Sequence, residues 1–172
     1  KRTPLRTEGC SIADTNKPFR VTIAWTDAPG STTGDAFNND LDLTVTVGTN
    51  VYLGNVFSGA FSTNGGVADG KNNVESVFLP PGVSGHFTVT ITAANINSDG
   101  VPNEEPELDQ DFALVMYNAL APVITPDGLV LAAESCTNGV VDPGEAVTMN
   151  LILRNTGSAN TTNLTVTLLQ TN

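Results

Sequence analysis

The stretch Phe19-Arg20-Val21-Thr22-Ile23-Ala24-Trp25 decides the fold class. Its alternate residues, Phe19, Val21, Ile23 and Trp25, are large and apolar, and those between them are polar or small. Successive side chains of a strand point to opposite faces, so this run reads as a strand with one buried face. Leu41-Asp42-Leu43-Thr44-Val45-Thr46-Val47 repeats the pattern with Leu41, Leu43, Val45 and Val47. Val51-Tyr52-Leu53, Val74 to Leu79, Phe87 to Ala93 and Phe112 to Tyr117 read as further strands. The outward positions are mostly Thr, which suits a pleated, half-wet surface. Sixteen Gly, ten Pro and many Asn punctuate the runs, as turn chemistry requires. Helix periodicity is almost absent. The expected fold class is therefore all-β, an antiparallel unit of roughly 100–120 residues, the size of a jelly roll or β-sandwich.

Working outward, the composition changes near residue 120. Residues 1–119 hold the β unit. Residues 120–126, bracketed by Pro122 and Pro126, read as a linker. Residues 127–172 contain the acidic turn Asp142-Pro143-Gly144-Glu145 and two strands, Val147 to Leu153 and Leu164 to Leu169. So few strands cannot close a sandwich of their own. Either this is the opening of an immunoglobulin-like domain continuing past Asn172, or its strands pair with another chain; the first is the expectation.

Seven Lys and Arg against 18 Asp and Glu give a net charge of −11 over 172 residues. Five of those cations (Lys1, Arg2, Arg6, Lys17, Arg20) precede residue 21, so the remainder is more acidic still. Such a field repels a polyphosphate, and nucleic acid is excluded as an expected partner. Only 15% of residues are charged, which argues against charge-driven disorder. No apolar run approaches the ~20 residues of a membrane-spanning helix, so no membrane insertion is expected. There is no basic-then-apolar leader, and Lys1 stands where Met would, which reads as a piece of a longer protein. The two cysteines, Cys10 and Cys136, with a single histidine, cannot make a zinc site. They form one disulfide or are two small buried thiols.

The acids carry the most information. Trp25-Thr26-Asp27-Ala28-Pro29-Gly30 ends a strand in a turn and presents Asp27 at its rim. Asn38-Asn39-Asp40-Leu41-Asp42-Leu43 opens the next strand, with Asp40 and Asp42 on the face opposite Leu41 and Leu43. Asp69-Gly70-Lys71-Asn72-Asn73-Val74-Glu75 places Asn73 and Glu75 on one face. Hard cations such as Ca²⁺ take six to eight oxygens from groups of these types, often at strand ends. The alternative is that Asp and Asn are simply good turn residues on an acidic surface. Asn95-Ile96-Asn97-Ser98-Asp99-Gly100 imitates the start of a calcium-binding EF loop, but position twelve is Pro106 instead of Glu, and the match fails. Glu104, Glu105, Glu107, Asp109 and Asp111 beyond it read as a solvated acidic loop.

Catalysis finds little support. His86 stands alone at the head of a strand, and no Gly-x-Ser-x-Gly elbow occurs. Asp40 and Asp42 could form a glycosidase pair in principle, yet aromatics make up only 6% of the chain, too few to line a sugar cleft. Asn64-Gly65-Gly66 is too short for a phosphate loop.

Five motifs occur in order: Phe19 to Gly30, Asn39-Asp40-Leu41-Asp42-Leu43, Asn72-Asn73-Val74-Glu75, Gly85-His86-Phe87-Thr88-Val89 and Asp111-Phe112-Ala113-Leu114-Val115. Together they resemble the C-terminal β-barrel of secreted subtilisin-like serine proteases (subtilases), a jelly roll similar to the P domain of proprotein convertases. The resemblance covers about Thr7 to Asn118. Residues 123–172 look like the start of the immunoglobulin-like repeat found after such barrels. The resemblance implies a secreted, extracellular bacterial protein and a non-catalytic accessory domain without peptidase activity of its own. Its implied partner is the subtilisin-like catalytic domain of the same polypeptide, which it stabilises or positions. It also implies bound calcium, with Asp27, Asp40, Asp42, Asn73 and Glu75 as the metal-lining positions and Asp69 beside them. A second class of function is a carbohydrate- or surface-binding module, for which Tyr52, Tyr117 and Phe57 to Phe61 are the available aromatics. An independent hydrolase is a third.

Overall fold

In a computed structural model of the chain, residues 4–101, 108–161, 164 and 166 are described. They are all-β, with antiparallel pairing throughout the strand ladders and no helix among the described residues. The chain divides into two compact units, Lys1–Leu120 and Ala121–Asn172.

The first unit contains β1 (Leu5–Arg6), β2 (Cys10–Ile12), β3 (Phe19–Ala24), β4 (Asp40–Val47), β5 (Asn50–Ser58), β6 (Phe61–Asn64), β7 (Val74–Leu79), β8 (His86–Asn95), β9 (Ala113–Tyr117) and β10 (Ala119–Leu120). One sheet runs β10-β2-β8-β4-β5-β6, and β1 also pairs with β8, ahead of β2 along the same strand. The other sheet runs β7-β3-β9. Alternation explains the interior. Phe19, Val21 and Ile23 of β3, Val77 and Leu79 of β7, Leu41 to Val47 on every second residue of β4, and Phe87, Val89 and Ile91 of β8 are all buried. The rings of Phe19 and Phe87 meet across the two sheets with centroids 4.6 Å apart. Each such side chain contributes roughly 1.5–3 kcal/mol by leaving water. Hydroxyls link outward positions where apolar contact is lacking: Thr22 Oγ1 and Ser76 Oγ are 2.9 Å apart.

Several strands exceed the expectation from local pattern. β5 extends to Ser58 and β6 pairs with it, Phe57 opposite Ser62 and Ser58 opposite Phe61, although Gly54, Asn55 and Ser62 interrupt the alternation there. β1, β2 and β10 are too short to show a period. Both cysteines are free thiols, which corrects the disulfide reading: Cys10 is buried in β2 as the thiol reading expects, whereas Cys136 is exposed.

The second unit is a ribbon of β11 (Ile124–Glu134) and β12 (Val147–Asn155). β12 coincides with the expected strand, whereas β11 was not anticipated. It starts inside the stretch read as a linker, because Pro126 and Gly128 are absorbed at one irregularity of register and a second falls between Leu131 and Ala133. The acidic turn binds its own backbone: Glu145 accepts from the N–H groups of Cys136 and Asp142, at 2.7 and 3.1 Å. The strand expected over Leu164 to Leu169 lies largely outside the described residues, as do Glu104, Glu105 and Glu107.

Candidate metal centre

β4 and β5 pair only over Thr44–Val47 and Asn50–Leu53. β4 remains paired with β8 along its whole length, but from Asp40 to Leu43 its other edge has no strand partner. β5 has turned away at Gly54 and Asn55 toward β7. An exposed edge N–H inside a protein needs an acceptor, and one comes from β7. Glu75, the inward residue between Val74 and Ser76, sends Oε2 to the Leu43 N–H at 2.7 Å. The sequence pattern allows this because Glu75 occupies the same face as the core residues Val77 and Leu79. An acid thus takes a core position, 1% exposed.

Asp40 and Asp42 lie just ahead of Leu43 on β4, half-buried. One oxygen from each of Asp40, Asp42 and Glu75 lies within 4.8 Å of the others. Two of the oxygens in this group, Asp40 Oδ1 and Glu75 Oε1, are buried without a hydrogen-bond partner. Two ionised carboxylates at such a separation repel by about 3 kcal/mol at an effective dielectric of ~20. The titration follows. Burial, above all, pushes Glu75 up to about 8; the Leu43 N–H opposes this, and Asp42, Asp69 and Asp40 reinforce it. Burial likewise raises Asp40, helped by Asp42 and Asp69, and raises Asp42, helped by Asp69. Asp69 goes the other way. Burial works against its charge, but hydrogen bonds from Asn55, Asn72 and the Lys71 and Asn72 N–H groups outweigh it and hold its carboxyl below the usual range.

The donor set suits a hard cation. Three carboxylates, two of them with an unpartnered buried oxygen, offer negative charge and free lone pairs, and nothing softer than oxygen. The structure brings Asp40, Asp42 and Glu75 together, and Asp27 is not among the acids of this group. Asp27 Oδ2 accepts from the Asn38 N–H at 2.6 Å and Oδ1 from the Asn39 N–H at 3.0 Å, so both oxygens tie down the loop between β3 and β4. Asn73 pairs its backbone carbonyl with the Trp25 N–H and its Nδ2 with the Trp25 carbonyl, each at 3.1 Å, prolonging the β3–β7 ladder. Asp69 sits close enough to act on all three acids of the group.

Asn39 and Gly54 escaped the reading from sequence. Asn39 is 2% exposed, and its Oδ1 accepts from the N–H groups of Asn97 and Ser98 at 2.9 and 3.0 Å. Its Nδ2 donates to the Ser98 carbonyl and to Gln110. The segment that imitates an EF loop therefore spends its polar groups on loop structure. Gly54 matters because a Cβ there would collide with the Glu75 carboxylate. A glycine amid the alternation of a strand is the signal that could have flagged it.

The remaining candidates have ordinary placements. His86 is exposed, with Nδ1 3.3 Å from the Cys10 carbonyl. Among the aromatics, Phe57 is 40%, Phe61 38% and Tyr117 50% exposed. Among the described residues no helix is long and apolar enough to cross a membrane. Comparison with known protein families and with curated proteins returns no match to this chain.

Proposed function

We propose that the first unit is a non-catalytic β module whose folded state is reinforced by calcium held between Asp40, Asp42 and Glu75. In finer terms it is a jelly-roll or β-sandwich domain, and the motifs from Phe19 to Val115 that resemble the subtilase barrel make it the accessory domain of a secreted subtilisin-like serine protease. There it stabilises or positions the catalytic domain of the same polypeptide. The second unit is then the beginning of an immunoglobulin-like repeat. The observation that carries the metal part is Glu75: an acid 1% exposed, with one oxygen unpartnered, beside two further carboxylates.

A bound divalent cation supplies the positive charge that offsets repulsion among the three acids. The chain's own residues do the rest. Asp40 and Asp42 come from one sheet and Glu75 from the other, so a cation held by all three links β4 to β7. Binding only to the folded form adds stability by mass action, about 2.7 kcal/mol at a concentration 100 times Kd. The test is thermal unfolding of the chain in EDTA and in millimolar calcium. A rise in Tm with calcium that disappears in E75Q is the expected result. Identical curves in calcium and EDTA would remove the metal from the reading.

A carbohydrate- or surface-binding module is the second reading. It is favoured by the outward side of the β7-β3-β9 sheet, where Phe78 lies between Arg20, 5.0 Å from its ring centre, and Phe57, at 5.5 Å. Tyr117 stands opposite Arg20 on β9. Retention on insoluble polysaccharide, lost in Y117A, would decide for it.

A further inference from the structure

β5 leaves β4 through a two-residue step that the three acids alone do not explain. Gly54 leaves room for the Glu75 carboxylate, which a side chain would displace. Asn55 follows with φ of 60°, in the left-handed region that Asn tolerates better than most residues. Its amide then pairs with the backbone on both sides of Glu75. Nδ2 donates to the Val74 carbonyl at 2.9 Å, and the Ser76 N–H donates to Oδ1 at 3.0 Å. The same Nδ2 donates to Asp69 Oδ2 at 2.6 Å. Asp69 Oδ2 accepts a second bond from Asn72 Nδ2 at 2.6 Å, while Oδ1 accepts from the Lys71 and Asn72 N–H groups at 3.1 and 3.4 Å. The next residue, Gly70, closes on Asp40: a Cβ there would lie 3.4 Å from Asp40 Oδ2. One side chain therefore grips the backbone that carries Glu75 and the loop that lies against Asp40.

We propose that Asn55 is the positioning residue of the cation site, and that Asp69 is its fourth negative charge, acting through space. Asp69 already has four donors on its two oxygens, so its lone pairs are occupied, yet its charge still reaches the site. The inference rests on the calcium reading above and adds which residues outside the three acids set the affinity. Unpartnered Glu75 Oε1, buried beside this bracket, is the group whose position Asn55 governs. Groups that orient metal ligands without touching the metal typically govern 10–100-fold in affinity.

The experiment is calorimetric titration of the full chain with calcium at low salt, for wild type, N55G, N55D and D69N, with thermal unfolding of each in EDTA. N55G keeps the left-handed backbone and loses the amide; affinity should fall by roughly tenfold or more. N55D adds a negative charge beside the site, so charge counting alone calls for tighter binding, whereas loss of the Nδ2 bonds calls for weaker. D69N should weaken binding by a factor that shrinks as salt is raised, because screening removes a through-space effect. A drop in Tm in EDTA with wild-type calcium affinity would make Asn55 a structural residue only and overturn the proposal. N55D binding as tightly as wild type or tighter would do the same, and this variant and D69N decide the matter if N55G does not fold. A wild-type chain that binds no calcium removes the site and this inference together; wild-type binding with unchanged N55G and D69N removes this inference alone.

Discussion

The two units use the same alphabet of alternating apolar residues with opposite results. In the first, Leu43 and Val45 of β4 are 1% and 0% exposed; in the second, Leu129 of β11 and Leu151 of β12, directly opposite each other, are 61% and 51% exposed. The difference is a second sheet. β4 lies in a wide sheet whose inner face meets β7-β3-β9, and each alternate residue is covered. β11 and β12 form a ribbon whose own unit has no second layer among the described residues, and a two-stranded ribbon is marginal by itself. Alternation therefore specifies a strand with an apolar face, and a further layer must specify burial.

The comparison can be broken or sharpened by four measurements. The largest effect is expected from Leu43→Ala, which opens a cavity between the sheets and should cost about 2–5 kcal/mol in urea unfolding followed by the single Trp. Trp25 lies in the first unit, so its fluorescence reports that unit specifically. A cost as small as a surface substitution would mean that the sheets do not pack as described.

Next comes Gly54→Ala. The added methyl must push the Glu75 carboxylate off the Leu43 N–H, and overpacking of this kind costs roughly 1–3 kcal/mol. Loss of the calcium response should accompany it. Retention of both stability and response would show that the carboxylate has another place to go.

The third is a pH dependence belonging to the first unit. Glu75 titrates at about 8 in the folded unit against an ordinary 4.5, so between those values the folded chain holds a proton that the unfolded chain has released. Unfolding then releases a proton, and rising pH favours it. The stabilisation is fully present below 4.5 and is lost as pH rises toward about 8, with a slope of at most about 1.4 kcal/mol per pH unit. Denaturation in EDTA from pH 5 to 8 should show this loss of stability, and E75Q should flatten it. A wild-type profile that rises with pH over this range would contradict a buried, protonated Glu75.

The smallest effect is expected from Leu151→Ala in the ribbon. A side chain that is half exposed has little transfer energy to lose, and the change should fall within about 0.5 kcal/mol. A cost comparable with that at Leu43 would reveal a covering partner for the ribbon in solution.

Much of the ladder was legible locally. β3, β4, β7, β8, β9 and β12 announce themselves because period two survives in each. β11 did not, since Pro126 and Gly128 broke its pattern while its register absorbed them. The candidate site was legible in part. Asp40, Asp42 and Glu75 stood out as acids amid strand alternation, but Asp27 and Asn73 stood out beside them, and their hydrogen bonds go to the β3–β4 loop and to the Trp25 backbone. Gly54 and Asn55 left only the faint mark of a break within a strand.

The sequence by itself determined which residues alternate, where turns fall and how much negative charge the chain carries, because these depend on neighbours within a few positions. Only the tertiary structure decided which acids meet. That choice depends on β5 parting from β4 after Leu53 and exposing the Leu43 N–H to a residue 32 positions away. An unpaired strand edge is a property of two chains of residues lying side by side, and no local pattern in either one encodes where their partnership ends.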